Sequence, residues 1–207
     1  DWEYALGVNF MNQHLSHMTI TGTRKFDYPP VFTSLSPWWK EYGVLNDYFA
    51  RLSLVLSQGR QENGWLILEP TTSLWLHYTN VSGGKSLWDI ANDFQALLGA
   101  LERGQMEYDL GCEDIMADCG SVGRKCLRVG QARYHTMVLP AKTENLESRT
   151  FQLMRDFASS GGRIIALGLP DFVDGEESAE LQAFMQSDAV IKMQTPQEIL
   201  SLYRQET

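Results

Sequence analysis

Long apolar runs are missing from this chain of 207 residues. None approaches the roughly 20 residues that cross a bilayer, so no membrane span is expected. Basic side chains are few and unclustered: 17 Lys and Arg stand against 26 Asp and Glu, a net charge of −9. Phosphate backbones and anionic membrane surfaces are held by clustered Lys and Arg, so neither is an expected partner, nucleic acid included. Cysteine is scarce. Cys112, Cys119 and Cys126 are separated by six residues each, and three is an odd number. That excludes a full disulfide framework, and a structural zinc site needs a tight C-x2-4-C pair with a fourth ligand. No metal is expected, and the three read as ordinary thiols near a sheet edge. Asp1 carries no Met and no signal-like apolar segment, so any export signal is expected upstream or removed. Repeats, low-complexity tracts and heptad arrays are absent as well.

What is present suits a folded chain. Apolar residues make up 43% and charged residues 21%, enough for a sizeable core and against disorder. The length fits one domain with an appendage. Trp65-Leu66-Ile67-Leu68 is a continuous apolar run of strand length, as expected for a strand buried on both faces. Leu87, Ile90, Ala91, Phe94, Leu97, Leu98 and Leu101 recur at helical spacing, predicting a helix over about 86–103 that Gly104 ends. Met106–Leu110 is a short strand. Cys126–Val129, Gly130-Gln131-Ala132 and Tyr134–Leu139 read as a hairpin feeding a central strand. A helix over about 144–159, the strand 163–167, a short helix near 177–185 and the strand 189–193 follow. Thr195-Pro196-Gln197-Glu198 is a capping box with proline at the first helical position, opening a last helix over about 196–204. Strands alternating with helices imply right-handed βαβ units and a mostly parallel sheet. The expectation is an α/β, flavodoxin-like three-layer domain with a five-stranded sheet in the order 2-1-3-4-5.

The first third reads differently. Gly7-Val8-Asn9-Phe10-Met11-Asn12-Gln13-His14 is strand-like and has no partner in this chain. A polar, aromatic excursion pinned by Pro29-Pro30 follows it. Ser36 and Pro37 can cap a helix of five or six turns, with Trp39, Tyr42, Leu45, Tyr48, Phe49, Leu52, Val55 and Leu56 on one buried face. A strand ending in Asn and His has the pattern of the last strand of a catalytic barrel whose other strands lie elsewhere. The predicted division is therefore a barrel-derived N-terminal arm, 1–35, and an α/β domain, 36–207. Trp2, Tyr4, Phe10, Met11 and Phe26 are too apolar for a free arm, so an incompletely buried surface is expected there.

Tyr134–Pro140, a helix, then Gly161-Gly162-Arg163-Ile164-Ile165-Ala166-Leu167-Gly168 resembles the class I glutamine-amidotransferase-like domain that follows the barrel in several glycoside hydrolases. Family 42 β-galactosidases use one for trimerisation. The opening pattern Gly7-x-Asn9-x4-His14, then Arg24-Lys25-x-Asp27-Tyr28-Pro29-Pro30, Ser36-Pro37-Trp38-Trp39, Asp47-Tyr48 and Arg51-Leu52-Ser53 resembles bacterial enzymes around glycoside hydrolase family 106, α-L-rhamnosidases and relatives. The resemblance runs from Gly7 to about Gly175. It implies an accessory, non-catalytic domain of a bacterial glycoside hydrolase acting on plant or host polysaccharide. Its partners would be the parent's catalytic barrel, carbohydrate and a homo-oligomer, in a periplasmic or extracellular setting. No cofactor is implied. A free-standing flavodoxin-like module for a small anionic ligand or a protein is the alternative.

The candidate site residues follow. Side chains alternate along a strand, so Asn9 would point into the barrel and His14 would lie past the strand's carboxyl end, lining a sugar pocket in the parent enzyme. Asp27 is the one acid of the carboxylate candidates in the barrel-derived part. Glycoside hydrolysis needs two carboxylates, roughly 5 Å apart for retention or roughly 6.5–9.5 Å for inversion. Glu69, Glu113 and Asp114 are the other candidates. Glu113-Asp114 reads as a solvated turn, and the catalytic pair is expected to lie outside this chain. Trp75 sits in a stretch after the first sheet strand, expected as a long loop with His77, Tyr78 and Asn80, where an aromatic ring could stack on sugar or pack on the barrel. Amidotransferase chemistry needs a nucleophile on the sharp turn after 163–167. That turn reads Gly168-Leu169-Pro170, which offers none. Thr71-Thr72-Ser73 is a faint echo of a flavin-phosphate loop, and Gly83-Gly84-Lys85-Ser86 of a P-loop without its first glycine.

Overall fold

The computed structural model describes residues 2–80 and 85–206. The chain divides into two compact units, Asp1–Gln61 and Glu62–Thr207. The boundary at 61/62 lies past the 35/36 division expected from the sequence, because helix α1 (Tyr42–Leu56) falls in the first unit. Gly83-Gly84 lies outside the described residues.

The second unit carries the sheet. Strands β1 (Trp65–Leu68), β2 (Asp109–Gly111), β3 (Thr136–Leu139), β4 (Arg163–Ala166) and β5 (Val190–Lys192) are all parallel. Their spatial order is 2-1-3-4-5, the flavodoxin-like arrangement. Helices α2 (Thr71–His77), α3 (Lys85–Arg103), α4 (Glu113–Cys119), α5 (Ser148–Ser159), α6 (Ala179–Gln186) and α7 (Pro196–Glu206) complete it.

Alternation along each strand makes two cores. Leu66, Leu68, Met137, Leu139, Ile164 and Ala166 face one side with Phe151, Met154 and Phe157 of α5 and Leu181 and Met185 of α6. Trp65, Ile67, Val138 and Ile165 face the other with Leu97 and Leu101 of α3 and Ile199 and Leu200 of α7. That is the three-layer α/β arrangement. Each fully buried aliphatic or aromatic side chain of this kind contributes roughly 1.5–3 kcal/mol. The apolar stripe expected on α3 is the one that packs, and Glu198 Oε2 accepts the Thr195 N–H at 3.4 Å, one half of the expected capping box of α7. The predicted hairpin forms as Cys126–Val129 against Ala132–Tyr134, with Gly120–Gly123 as a third antiparallel strand.

Four local expectations fail for stated reasons. The long loop after β1 is instead α2, which starts directly after Pro70 and buries Thr72 and Ser73. Helix α5 starts at Ser148 and not near 144, because Asn145–Leu146 pairs with Phe172–Val173 in a small second sheet. In the first unit, Ser36 caps nothing: its hydroxyl donates to the Val31 carbonyl at 2.7 Å, and α1 begins only at Tyr42 after a 3-10 turn, Trp39–Glu41. The strand expected at Gly7–Met11 does not form either. One helical turn, Trp2–Ala5, is followed by residues 8–17 without helix or ladder. A strand persists only where a neighbour takes its N–H and C=O groups, and the described residues of this unit offer no second strand.

Candidate functional site

In a doubly wound sheet the ligand crevice lies beyond the strands' carboxyl ends where the order reverses, here between β1 and β3. Two segments meet there, Glu69–His77 and Pro140–Glu147. Thr72 and Ser73 are buried, and so is Glu113, which opens α4. The Thr72 hydroxyl donates to Glu113 Oε1 at 2.7 Å, and the Glu147 N–H donates to Glu113 Oε2 at 2.7 Å. Ser73 Oγ accepts the N–H groups of Glu144 (2.9 Å) and Asn145 (3.1 Å). Asn145 Oδ1 accepts the Gly175 N–H at 2.8 Å, and Asp174 Oδ1 accepts the Ser148 N–H at 2.9 Å. Glu113 is thus a structural carboxylate and not the solvated turn expected; the helix that follows it turns its side chain inward.

The hydroxyls and carboxylate of this crevice are occupied by one another and by the chain's own backbone. Thr72 and Ser73 therefore present no cradle of free donors to an anion, against the flavin-phosphate echo. Burial, then the charges of Glu113, Asp114 and Asp174, hold the Glu147 carboxyl above the usual carboxylate range. At the rim, His77 Nε2 and Glu144 Oε2 are 2.7 Å apart, and Lys142 pairs with Asp93 at 3.0 Å. The sharp turn after β4 brings Gly168 so close to the preceding strand's loop that a Cβ there would stand 2.3 Å from the Ala141 carbonyl oxygen. Leu169 and Pro170 follow, so the segment after β4 offers no nucleophile. Among the described residues, no group of three His, Cys, Asp or Glu side chains could hold a metal ion. The three cysteines are free thiols.

The second polar knot lies under β2. Asp109 Oδ1 accepts from Asn63 Nδ2 at 2.6 Å, and Oδ2 accepts from the Tyr134 hydroxyl at 2.8 Å. Burial first, and Asp109 second, hold the Tyr134 phenol well above its usual value. Tyr108 is pushed up to about 12 by burial and by Glu102. Neither knot was legible as a pair in the sequence, since 25 residues separate Asp109 from Tyr134 and 41 separate Thr72 from Glu113.

The four residues singled out from the sequence are all exposed. Asn9 lies in the irregular segment. The ring of His14 lies 5.3 Å from that of Tyr28, and Asp27 Oδ1 accepts the N–H of the adjoining Tyr28 at 2.9 Å. Trp75, on the outer side of α2, belongs to the other unit. The first unit also holds a cleft of about 350 Å³, lined by Tyr4, Phe10, Met11, Gln13, Tyr42 and Asn46 among others. Tyr4 and Ser53, both among its lining residues, hold their hydroxyl oxygens 2.8 Å apart.

No protein-family model matches the chain, and no curated protein matches it. Among solved structures, it is similar to a rhamnosidase from Novosphingobium sp. PP1Y, at 17% identity and a TM-score of 0.49 over 84% of this chain. The chain spans 17% of that protein's length. A likeness of that size fixes neither family nor activity.

Proposed function

We propose that this chain is an accessory, non-catalytic part of a bacterial glycoside hydrolase, supporting a catalytic barrel supplied by the rest of a longer protein. The observation that carries the reading is the apolar surface of the first unit. Trp2, Phe10, Met18 and Phe26 are 74%, 81%, 99% and 84% exposed, which marks a segment shaped to meet another surface. Tyr4 alone of the five apolar residues expected to seek cover is buried. The carbohydrate assignment follows the sequence resemblance, with Asn9, His14, Asp27 and Trp75 as contributors to the cleft rim of the complete enzyme. The self-satisfied crevice between β1 and β3 speaks against the anion half of the alternative, a free-standing flavodoxin-like module for a small anionic ligand or a protein partner.

Three measurements test it. The purified chain should not turn over aryl α-L-rhamnosides or aryl β-galactosides, and turnover by homogeneous protein would overturn the reading. In the complete enzyme, residues 2–33 should be protected from hydrogen exchange, and His14→Ala should lower kcat/KM at least about tenfold with little change in thermal stability. Unprotected exchange together with full activity of that variant would return the segment to an unengaged surface arm.

A further inference from the structure

Helix α1 has two unlike faces. Tyr42, Phe49 and Ser53 turn toward the N-terminal segment: the Phe49 and Tyr4 rings lie 5.2 Å apart, and Ser53 Oγ meets the Tyr4 hydroxyl. At about 3.6 residues per turn, Val44, Tyr48, Arg51 and Val55 form one stripe on the opposite side, with Asp47 on one flank and Leu52 on the other. These six residues form one open, mostly apolar surface along the helix. Val44, Tyr48 and Val55 are 71%, 50% and 67% exposed. Asp47 and Arg51 stand one turn apart with no ion pair between them.

We propose that this stripe is the contact surface for a second copy of the chain, packed antiparallel about a two-fold axis at the level of Phe49. In such a pair a residue before the axis meets one the same distance after it, on the same flank, and each contact occurs twice. Asp47 and Arg51 lie two residues either side of Phe49 and toward the same flank. Each Asp47 therefore meets the partner's Arg51. The same register lays Val44 beside the partner's Val55 and covers both. Parallel pairing would instead set Arg51 near the partner's Arg51 in the middle of the stripe, where like charges repel. The self-complementary charge pattern is what selects a second copy over an unlike partner. A single helix face is smaller than a standard interface, so the association is weak and concentration-dependent. This proposal stands apart from the glycoside hydrolase reading: a strictly monomeric chain would overturn it alone, and glycosidase turnover would overturn the other alone.

Sedimentation equilibrium of the whole chain, from low micromolar to several hundred micromolar, tests it. The mean mass should rise from 23.5 kDa toward twice that value. Arg51→Asp and Asp47→Arg, each placing like charges together, should weaken association at least about tenfold. The double exchange Asp47→Arg with Arg51→Asp should restore it, with circular dichroism confirming an intact fold in each variant. Val44→Ser with Val55→Ser, two exposed positions, should weaken association without touching the charges. A monomer at all concentrations, single reversals without effect, or a folded double exchange that stays dissociated would each overturn the proposal.

Discussion

The two units of this chain spend similar residues very differently. In Glu62–Thr207 the apolar positions are inside: both faces of a parallel sheet are covered, and Leu68, Met137, Leu139, Phe157 and Ile165 are fully buried. In Asp1–Gln61 the apolar positions are largely outside, and Tyr4 is the one buried large hydrophobic among the described residues. The first unit is as rich in tryptophan, tyrosine and phenylalanine as any core segment. What it lacks is a second layer. A helix or an extended segment buries its apolar side only against another element, and a helix with one irregular segment provides too few. Hydrophobic content alone therefore does not make a core; layers do.

The sharpest way to break this contrast is to truncate one aromatic ring in each unit. Phe157→Ala removes a fully buried ring over Gly162 and should cost about 3–5 kcal/mol in urea unfolding. Phe26→Ala, on an exposed ring, should stay within about 0.5 kcal/mol. Equal costs would show that the first unit has a core after all.

Next in size is the polar knot at the crevice. Ser73→Ala strips the acceptor from two backbone N–H groups and should cost about 2 kcal/mol, seen as a lower urea midpoint at unchanged slope. No change would mean that water replaces the hydroxyl there. Tyr134→Phe should cost about 1 kcal/mol at neutral pH, since Asp109 keeps its bond from Asn63. The folded chain holds the Tyr134 proton more tightly than the unfolded one, so its contribution is complete below the ordinary phenol value and is lost as pH rises toward the raised one. The variant should therefore lose less stability in alkali than the parent chain, and identical alkaline profiles would contradict this.

The smallest expected effect is at Glu147. Its folded carboxyl is raised by burial and by its acidic neighbours, so its stabilising share is full below the usual carboxylate range and falls as pH rises through the raised value. Glu147→Gln should then gain a few tenths of a kcal/mol at neutral pH and nothing in acid, the residue being partly solvated. A loss at neutral pH would show that the carboxylate makes a favourable contact outweighing the repulsion.

Much of the second unit could be read from its residues. The run Trp65–Leu68 announces a two-faced strand, Leu87 to Leu101 announce α3, and Thr195 to Glu198 announce α7, because each signal is local: a period of two, a period of 3.6, a cap. Ser36 shows the limit of such signals. It has the residue type and the following proline of a helix cap, yet its hydroxyl turns to Val31. Glu113 shows another limit, since nothing within a few residues distinguishes a solvated acid from one that Thr72 and the Glu147 N–H enclose.

The tertiary ladders bear out the expected strand order 2-1-3-4-5; the sequence by itself determined that this is an α/β chain with a mostly parallel sheet, and that the turn at Leu169-Pro170 carries no nucleophile. Those follow from periodicity, connection length and residue type, which are properties of neighbours along the chain. Only the tertiary structure decided that Thr72, Ser73 and Glu113 are spent on one another and on the backbone, that Gly7–Met11 forms no strand, and that the outer face of α1 meets solvent. Each depends on whether a distant segment arrives to complete a hydrogen bond, a ladder or a packed layer, and no local pattern records such an arrival.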